Sequence, residues 1–396
     1  MPQVSKSKAE QLVTHMMAIR GRSGDECQVA DYIIDQLNRA PGKFSITRDN
    51  AHKRSHIGGA CGNLIVKIPA SPGHTRAPRR LMMAHMDTVP ICIGCNPVRR
   101  GKRIISSDNS TGLGADDRSG CAALLLAATR IMTDDLPHPP LTFLWTVQEE
   151  VGLVGARYVS VSKLGKPKLA FNVDGGSPTT LVIGATGAFR MMINIKGIAA
   201  HAGGHPEDGV SATAIASLAI AQLHRDGWHG QIKKGNRRGT SNVGFFSAGE
   251  TTNVVTETAT LRAEARSHDR AFRKRIVAAY KKAFNDAVKK VSNADGKSGK
   301  VSIDIRHDYE SFIIEKTQPC VTAAALAIER VGSKAGYRTV NGGLDANWMN
   351  DHGIPTVTFG VGQHNIHTVD EYLDIDQFHL GCRVVLNAAV GDCGVL

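Results

Sequence analysis

The sequence predicts an α/β protein: a larger domain with a mostly parallel sheet flanked by helices, and an inserted α+β domain. Three observations carry this. Short apolar runs alternate with helical patterns from about residue 61 to 173. Three of those runs stop abruptly at histidine or acidic residues. After Gly187 the pattern changes to period-two strands with two amphipathic helices, and near 311 the α/β alternation returns. The predicted division is 1–186 and 311–396 for the two parts of the larger domain, with 187–310 inserted.

Residues 3–39 read as a helix pair. Leu12, Met16, Met17 and Ile19 give one apolar face, and Val29, Tyr32, Ile33 and Leu37 the other. Cys61 to Ile68 and Arg80 to Met86 read as buried strands, the second running into His85-Met86-Asp87. Residues 118–132 are a small-residue helix. Leu141 to Gln148 is a strand ending in Glu149-Glu150, and Leu169 to Val173 a strand ending in Asp174-Gly175-Gly176. In the insert, Phe189 to Ile195 and Thr258 to Arg266 alternate as strands. Residues 210–224 and 269–290 read as helices, and 291–300 as a loop or hairpin. Val357 to Val361 is a further buried strand ending near histidines.

A length of 396 residues calls for at least two domains. Apolar residues at 42% and charged residues at 21% are ordinary for a globular chain, and no run is long and apolar enough for a membrane helix. The polar start gives no signal-peptide pattern, so a cytoplasmic location is expected. The eight cysteines are scattered and read as reduced thiols; Cys92-Ile93-Gly94-Cys95 has metal or redox spacing but is a lone pair. The net charge of +12 is spread over several clusters without interleaved aromatics, which argues against a nucleic-acid partner.

The chemistry gathers at the strand ends. In His85-Met86-Asp87 an imidazole and a carboxylate share one side of an extended strand. Gly112 to Gly120 delivers Asp116-Asp117 at a helix start, where an N-cap is the plainer reading. Glu149-Glu150 would repel if buried unpaired, and a dication relieves that best. Asp174, His364 and His367 complete the candidates. Histidine and carboxylate without cysteine is the donor set of a catalytic metal site. In open α/β sheets, ligands bind at the carboxyl ends of strands.

These motifs resemble those of the peptidase T (tripeptide aminopeptidase) family, within the wider superfamily of co-catalytic zinc exopeptidases and deacylases. The resemblance covers nearly the whole chain. It rests on His85-Met86-Asp87-Thr88-Val89-Pro90, Gly114-Ala115-Asp116-Asp117, Glu149-Glu150-Val151-Gly152, Asp174-Gly175-Gly176, and His367 with Glu371. His201-Ala202-Gly203 and Asn253-Val254-Val255 fit in the inserted domain.

The resemblance implies a catalytic domain holding two zinc ions, with cobalt or manganese as alternatives. His85 and Asp174 would bind one ion, Glu150 and His367 the other, and Asp116 would bridge them. Asp87 would orient His85, and Glu149 would be the general base. The peptide bond after the bridging aspartate would be cis. His367 is preferred to His364, and Asp116 to Asp117, by motif alignment. From the inserted lid and dimerisation domain, His201 would donate to the oxyanion, with His205 as a rival, and Asn253 would bind substrate. The implied partner is a short peptide, with no nucleic acid and no membrane, in a homodimer formed through the insert. A carboxypeptidase or an N-acyl amino acid deacylase on the same scaffold is the alternative. One departure stands out: Asn341 occupies the place of the family's arginine before Gly342-Gly343, with Arg338 three residues earlier.

Overall fold

The structure, a computed structural model, describes residues 5–394. In chain order, α1 (Lys6–Ala18) and α2 (Cys27–Asn38) precede β1 (Ser45–Arg48), β2 (Leu64–Ile68), β3 (Arg80–His85), β4 (Pro97–Arg100) and β5 (Arg103–Ser106). Next come α3 (Ala115–Thr133), β6 (Leu141–Thr146), α4 (Val154–Arg157), β7 (Leu169–Val173) and β8 (Thr180–Ala185). A second group comprises β9 (Gly187–Lys196), α5 (Ala212–Arg225), β10 (Gly230–Lys234), β11 (Arg237–Ala248), β12 (Thr258–Ser267), α6 (Arg270–Lys290) and β13 (Lys300–Tyr309). The chain closes with β14 (Phe312–Ile313), α7 (Pro319–Glu329), β15 (Gly336–Val340), α8 (Asp345–Asp351), β16 (Thr356–Phe359), β17 (Gln363–His364), β18 (Tyr372–Asp374) and α9 (Ile375–Val390).

The chain divides into two compact units. One comprises 1–184, 313–340 and 344–396; the other comprises Ala185–Phe312 with Asn341–Gly343.

The first unit holds the nine-stranded sheet, ordered β1-β2-β6-β3-β7-β16-β8-β14 with β15 beside β8. Its centre, β6-β3-β7-β16, is parallel, whereas β1, β2 and β8 pair antiparallel at the flanks. Every residue of β3, β6, β7 and β16 is buried. A parallel strand covered on both faces favours apolar side chains, and the polar ones here are hydrogen-bonded, Thr142 to the Leu164 carbonyl and Asn172 to the Thr358 hydroxyl. A second sheet, β17-β18-β5-β4, is entirely antiparallel.

Helix α3 packs on β3 and against α1, α2 and α9, while α7 packs on β7 and β16. It can lie so close because its inward positions are small. A Cβ at Gly120 would stand 2.2 Å from the Val173 carbonyl oxygen. Arg118, 1% exposed, ties α3 to the chain before it by donating to the carbonyls of Met16 (3.3 Å) and Gly21 (2.9 Å).

The second unit is a five-stranded antiparallel sheet, β10-β11-β12-β9-β13, packed on α5 and α6. The period-two alternation works as the pleat requires: Met191, Ile193 and Ile195 of β9 turn inward to Ile215, Phe272, Ile276 and Phe284. Both helices start with a side-chain cap, the Ser211 hydroxyl accepting from the Ala214 amide and the Asp269 carboxylate from that of Phe272.

Candidate metal centre

Because β6, β3, β7 and β16 run parallel, their carboxyl ends lie along one edge of the sheet. His85 ends β3, and Glu149-Glu150 follow β6. Asp174 follows β7, and the turn after β16 leads into Gln363 and His367. Residues more than 280 positions apart in sequence therefore meet. Asp116 and Asp117 enter from the start of α3, joined by a cis peptide bond, as the resemblance implies.

Asp116 sits between the two histidines. Its Oδ1 is 3.2 Å from His85 Nε2, and its Oδ2 is 3.1 Å from His367 Nε2. His367 Nε2 is also 3.0 Å from Glu150 Oε1. Asp117 faces elsewhere. Its carboxylate accepts from the amides of His85 (3.1 Å) and Gly120 (3.2 Å) and from Gln363 Nε2 (2.6 Å). Those donors occupy most of its lone-pair positions, whereas both oxygens of Asp116 point at imidazoles. His364 is used differently: it stacks on Tyr372 at 4.8 Å and reaches Gln377.

Two donor groups in the first unit have ligand atoms within 4.8 Å of one another: His85 with Asp117 and Asp174, and His85 with Asp116 and Glu150. His85 appears in both. Proximity alone thus pairs Asp117 with Asp174, but the hydrogen bonds just described leave Asp116 the freer carboxylate. The residues fit metal ions: oxygen and imidazole donors converge, mostly buried, with few positive partners.

The electrostatics state the same need. Burial pushes Glu149 and Asp117 well above the usual carboxylate range, with other carboxylates adding to the effect. Burial and then the charge of Asp116 lift Asp174 to about 7. Burial works upward on Asp116 as well, but hydrogen bonds with His367 and His85 prevail and hold it low. His367 is lifted to about 10, first by Asp116 and then by Glu150. Burial opposes protonation of His85, yet Asp116 and Asp87 outweigh it and raise it. Nearby opposite charge is what stabilises each charged form.

Supporting residues fix this arrangement. His85 Nδ1 lies 3.1 Å from the Asp87 carbonyl oxygen and 3.5 Å from its carboxylate. Either contact presents Nε2 inward. The Asp87 carboxylate itself accepts from the amides of Glu149 (2.9 Å) and Glu150 (3.1 Å) and from Ser23 Oγ (2.7 Å). Glu371, 2% exposed, accepts from the amides of Gly114 (2.7 Å) and Asp116 (3.0 Å) and from the Cys92 thiol. Cys95 donates instead to the carbonyls of Met17 and Leu113, so the two cysteines have separate partners. Asp345, after β15, accepts from the Thr146 hydroxyl. Glu371 stood in the motif with His367, whereas the supporting roles of Gln363 and Asp345 had no sequence signal beyond their proximity to motifs.

His201 and Asn253 belong to the second unit, and both are exposed. The Ala202 amide donates to the Asn253 carbonyl at 2.9 Å. His201 Nδ1 accepts from the amides of Gly203 (3.1 Å) and Gly204 (2.9 Å). A ring nitrogen that accepts carries no proton, so the neutral imidazole holds its proton on Nε2. His205 is 3.5 Å from Glu207. Asn341 belongs to the same unit, its carbonyl accepting from Thr186 and Arg266.

A model of peptidase family M20/M25/M40 matches residues 81–390. An uncharacterized protein, YqjE of Bacillus subtilis (strain 168), is 32% identical over 321 residues, covering 81% of this chain and 82% of its own. Peptidase T of Shewanella pealeana is 27% identical over 296 residues, 73% and 68% of the two chains. A tripeptidase from Staphylococcus aureus superposes with a TM-score of 0.86 at 29% identity over 98% of both chains. Aminopeptidase PepT from Bacillus cereus gives 0.81 at 29% identity, again over 98% of both. With the family model spanning most of the molecule and all five predicted ligands, the chain belongs to peptidase family M20/M25/M40.

Proposed function

We propose that this peptidase is a two-metal aminopeptidase that releases residues from short peptides. The observation that carries the reading is Asp116, whose two carboxylate oxygens face two different imidazoles, one of them shared with Glu150. In this reading His85 and Asp174 hold one ion, Glu150 and His367 the other, and Asp116 lies between them. The tripeptidase and PepT likenesses at 29% identity support the substrate class. Zinc suits the donor set best, and cobalt or manganese share it.

When bound, the ion pair supplies Lewis acidity, polarising the scissile carbonyl and acidifying water. The chain's own residues do the rest. Glu149, raised by burial, takes the proton of the attacking water on its carboxylate and returns it to the departing nitrogen. Asp87 holds His85 and, through its carboxylate, the amides that carry Glu149 and Glu150. His201 offers an Nε2–H to the developing oxyanion, as its acceptor Nδ1 requires. Asn253 binds substrate beside it.

Among the described residues no helix is long and apolar enough to cross a membrane, and a cytoplasmic site of action accords with a diet of short peptides. The second unit leaves Met192, Phe245 and Phe246 exposed, which supports a homodimer formed through it, measurable by sedimentation.

The test is Glu149→Gln with metal content measured in parallel. Retained metal and a loss of at least about 10²-fold in kcat are expected. Full activity would overturn the general-base assignment. A panel of di- and tripeptides with free and blocked amino termini reads the substrate class: an aminopeptidase cuts only the free ones, a deacylase the blocked ones.

A further inference from the structure

Glu149 and Glu150 follow β6 in a turn, where ladder hydrogen bonds no longer hold the backbone. Four consecutive amides there are taken up by side-chain oxygens instead. Val147 donates to Asn63 Oδ1 (3.0 Å) and Gln148 to Glu26 Oε1 (3.1 Å). Glu149 and Glu150 donate to the two oxygens of Asp87 (2.9 and 3.1 Å). Gln148 sits at φ 56°, a left-handed backbone that a non-glycine residue keeps only when its surroundings hold it.

We infer that Glu26 is a positioning residue for the reaction, clamping the turn that carries Glu149 through the Gln148 amide. Glu26 is fully buried at the head of α2, yet its side chain does not cap its own helix. The same Oε1 accepts from the Gly24 amide at 2.8 Å. One oxygen thus joins the 22–24 loop to the 148–150 turn. The 22–24 loop and Glu150 both line a cavity of about 620 Å³, which Val89 and Pro90 also border. Glu26 Oε2 has no hydrogen-bond partner. Burial, and then the charge of Asp87, raise this carboxyl to about 7. An amide oxygen in the same place would keep the clamp.

The inference rests on Glu149 acting as the general base, so its test needs a readout independent of turnover. Glu26→Ala and Glu26→Gln are compared with the wild-type chain in two assays. Residue-resolved hydrogen exchange on metal-free protein is the first, and kcat, KM and metal content of the loaded enzyme the second. In Glu26→Ala the Gln148 amide is expected to exchange about tenfold faster or more. Its kcat is expected to fall roughly ten- to a hundredfold, with KM within about threefold and metal content unchanged. Glu26→Gln, which keeps an acceptor oxygen, is expected to recover most of both losses. Where Glu26→Ala does not fold, Glu26→Asp, one methylene too short for the Gln148 amide, takes its place and should behave alike.

Unchanged exchange at Gln148 overturns the clamp. So does a folded Glu26→Gln as impaired as Glu26→Ala, or a loss confined to KM. If the wild-type enzyme cleaves no peptide, the functional reading fails, while the exchange arm still decides whether Glu26 holds the turn.

Discussion

At the scale of single residues, the site is a collection of carboxyls that folding forces together. Asp174 is raised to about 7 and Asp345 to about 6, each from 3.8, and burial is the first cause in both. A carboxyl raised on folding contributes stability that is complete below its unfolded value and is lost as pH rises through its folded value. The metal-free protein is therefore expected to lose thermal stability between about pH 4 and 7. A divalent ion should remove that slope, because it stabilises the ionised forms. Thermal melts across this window, with and without zinc, check it; a metal-free protein that gains stability from pH 4 to 7 would contradict it.

The choice between Asp116 and Asp117 shows what single residues reveal in sequence. Both stand in one motif; its alignment prefers Asp116, but the physical difference, the hydrogen bonds of Asp117 to His85, Gly120 and Gln363, has no signal in the sequence. The same holds for His364 and His367, one stacked on Tyr372 and the other facing carboxylates. Glu26 is harder still to see, since the amide it holds lies 122 positions away.

At the scale of elements, the strands that build the site were the most legible. β3, β6, β7 and β16 are short, fully buried runs rich in apolar residues and followed by polar ones, as strands covered on both faces tend to read. Strand direction was not legible: β2 has the same apolar run but pairs antiparallel with β6. Nor was the small sheet of β4, β5, β17 and β18, whose strands have at most four residues, too short for any period.

Helix α3 reads as small-residue from its sequence, and the reason is contact with β7. Gly120→Ala would set a Cβ 2.2 Å from the Val173 carbonyl and 2.3 Å from Asp117 Oδ1. Overpacking of this kind costs about 1–3 kcal/mol. Chemical denaturation should show that loss together with weaker metal binding, because Asp117 must move. A variant as stable as the wild type would mean that α3 has more room than the geometry gives it.

At the scale of the whole molecule, charge is unevenly distributed. The chain carries +12, yet nine of its 36 acidic residues, from Glu26 to Glu371, gather in and around one site. The remaining surface is accordingly more basic than the net value suggests. All five predicted ligands lie in the first unit, and His201 and Asn253 in the second. Metal should therefore stabilise the first unit selectively, by about 2.7 kcal/mol at a hundredfold excess over its Kd. Calorimetry with chelator and with zinc should show one transition that moves with metal and another that does not.

The measurement closest to the central claim is anomalous diffraction from crystals grown with zinc. Two peaks are expected a few ångströms apart, roughly 3.5–4 Å. One should touch His85 and Asp174, the other Glu150 and His367, with Asp116 reaching both. A single peak, or a pair bridged by Asp117 with Asp116 turned away, would contradict the account.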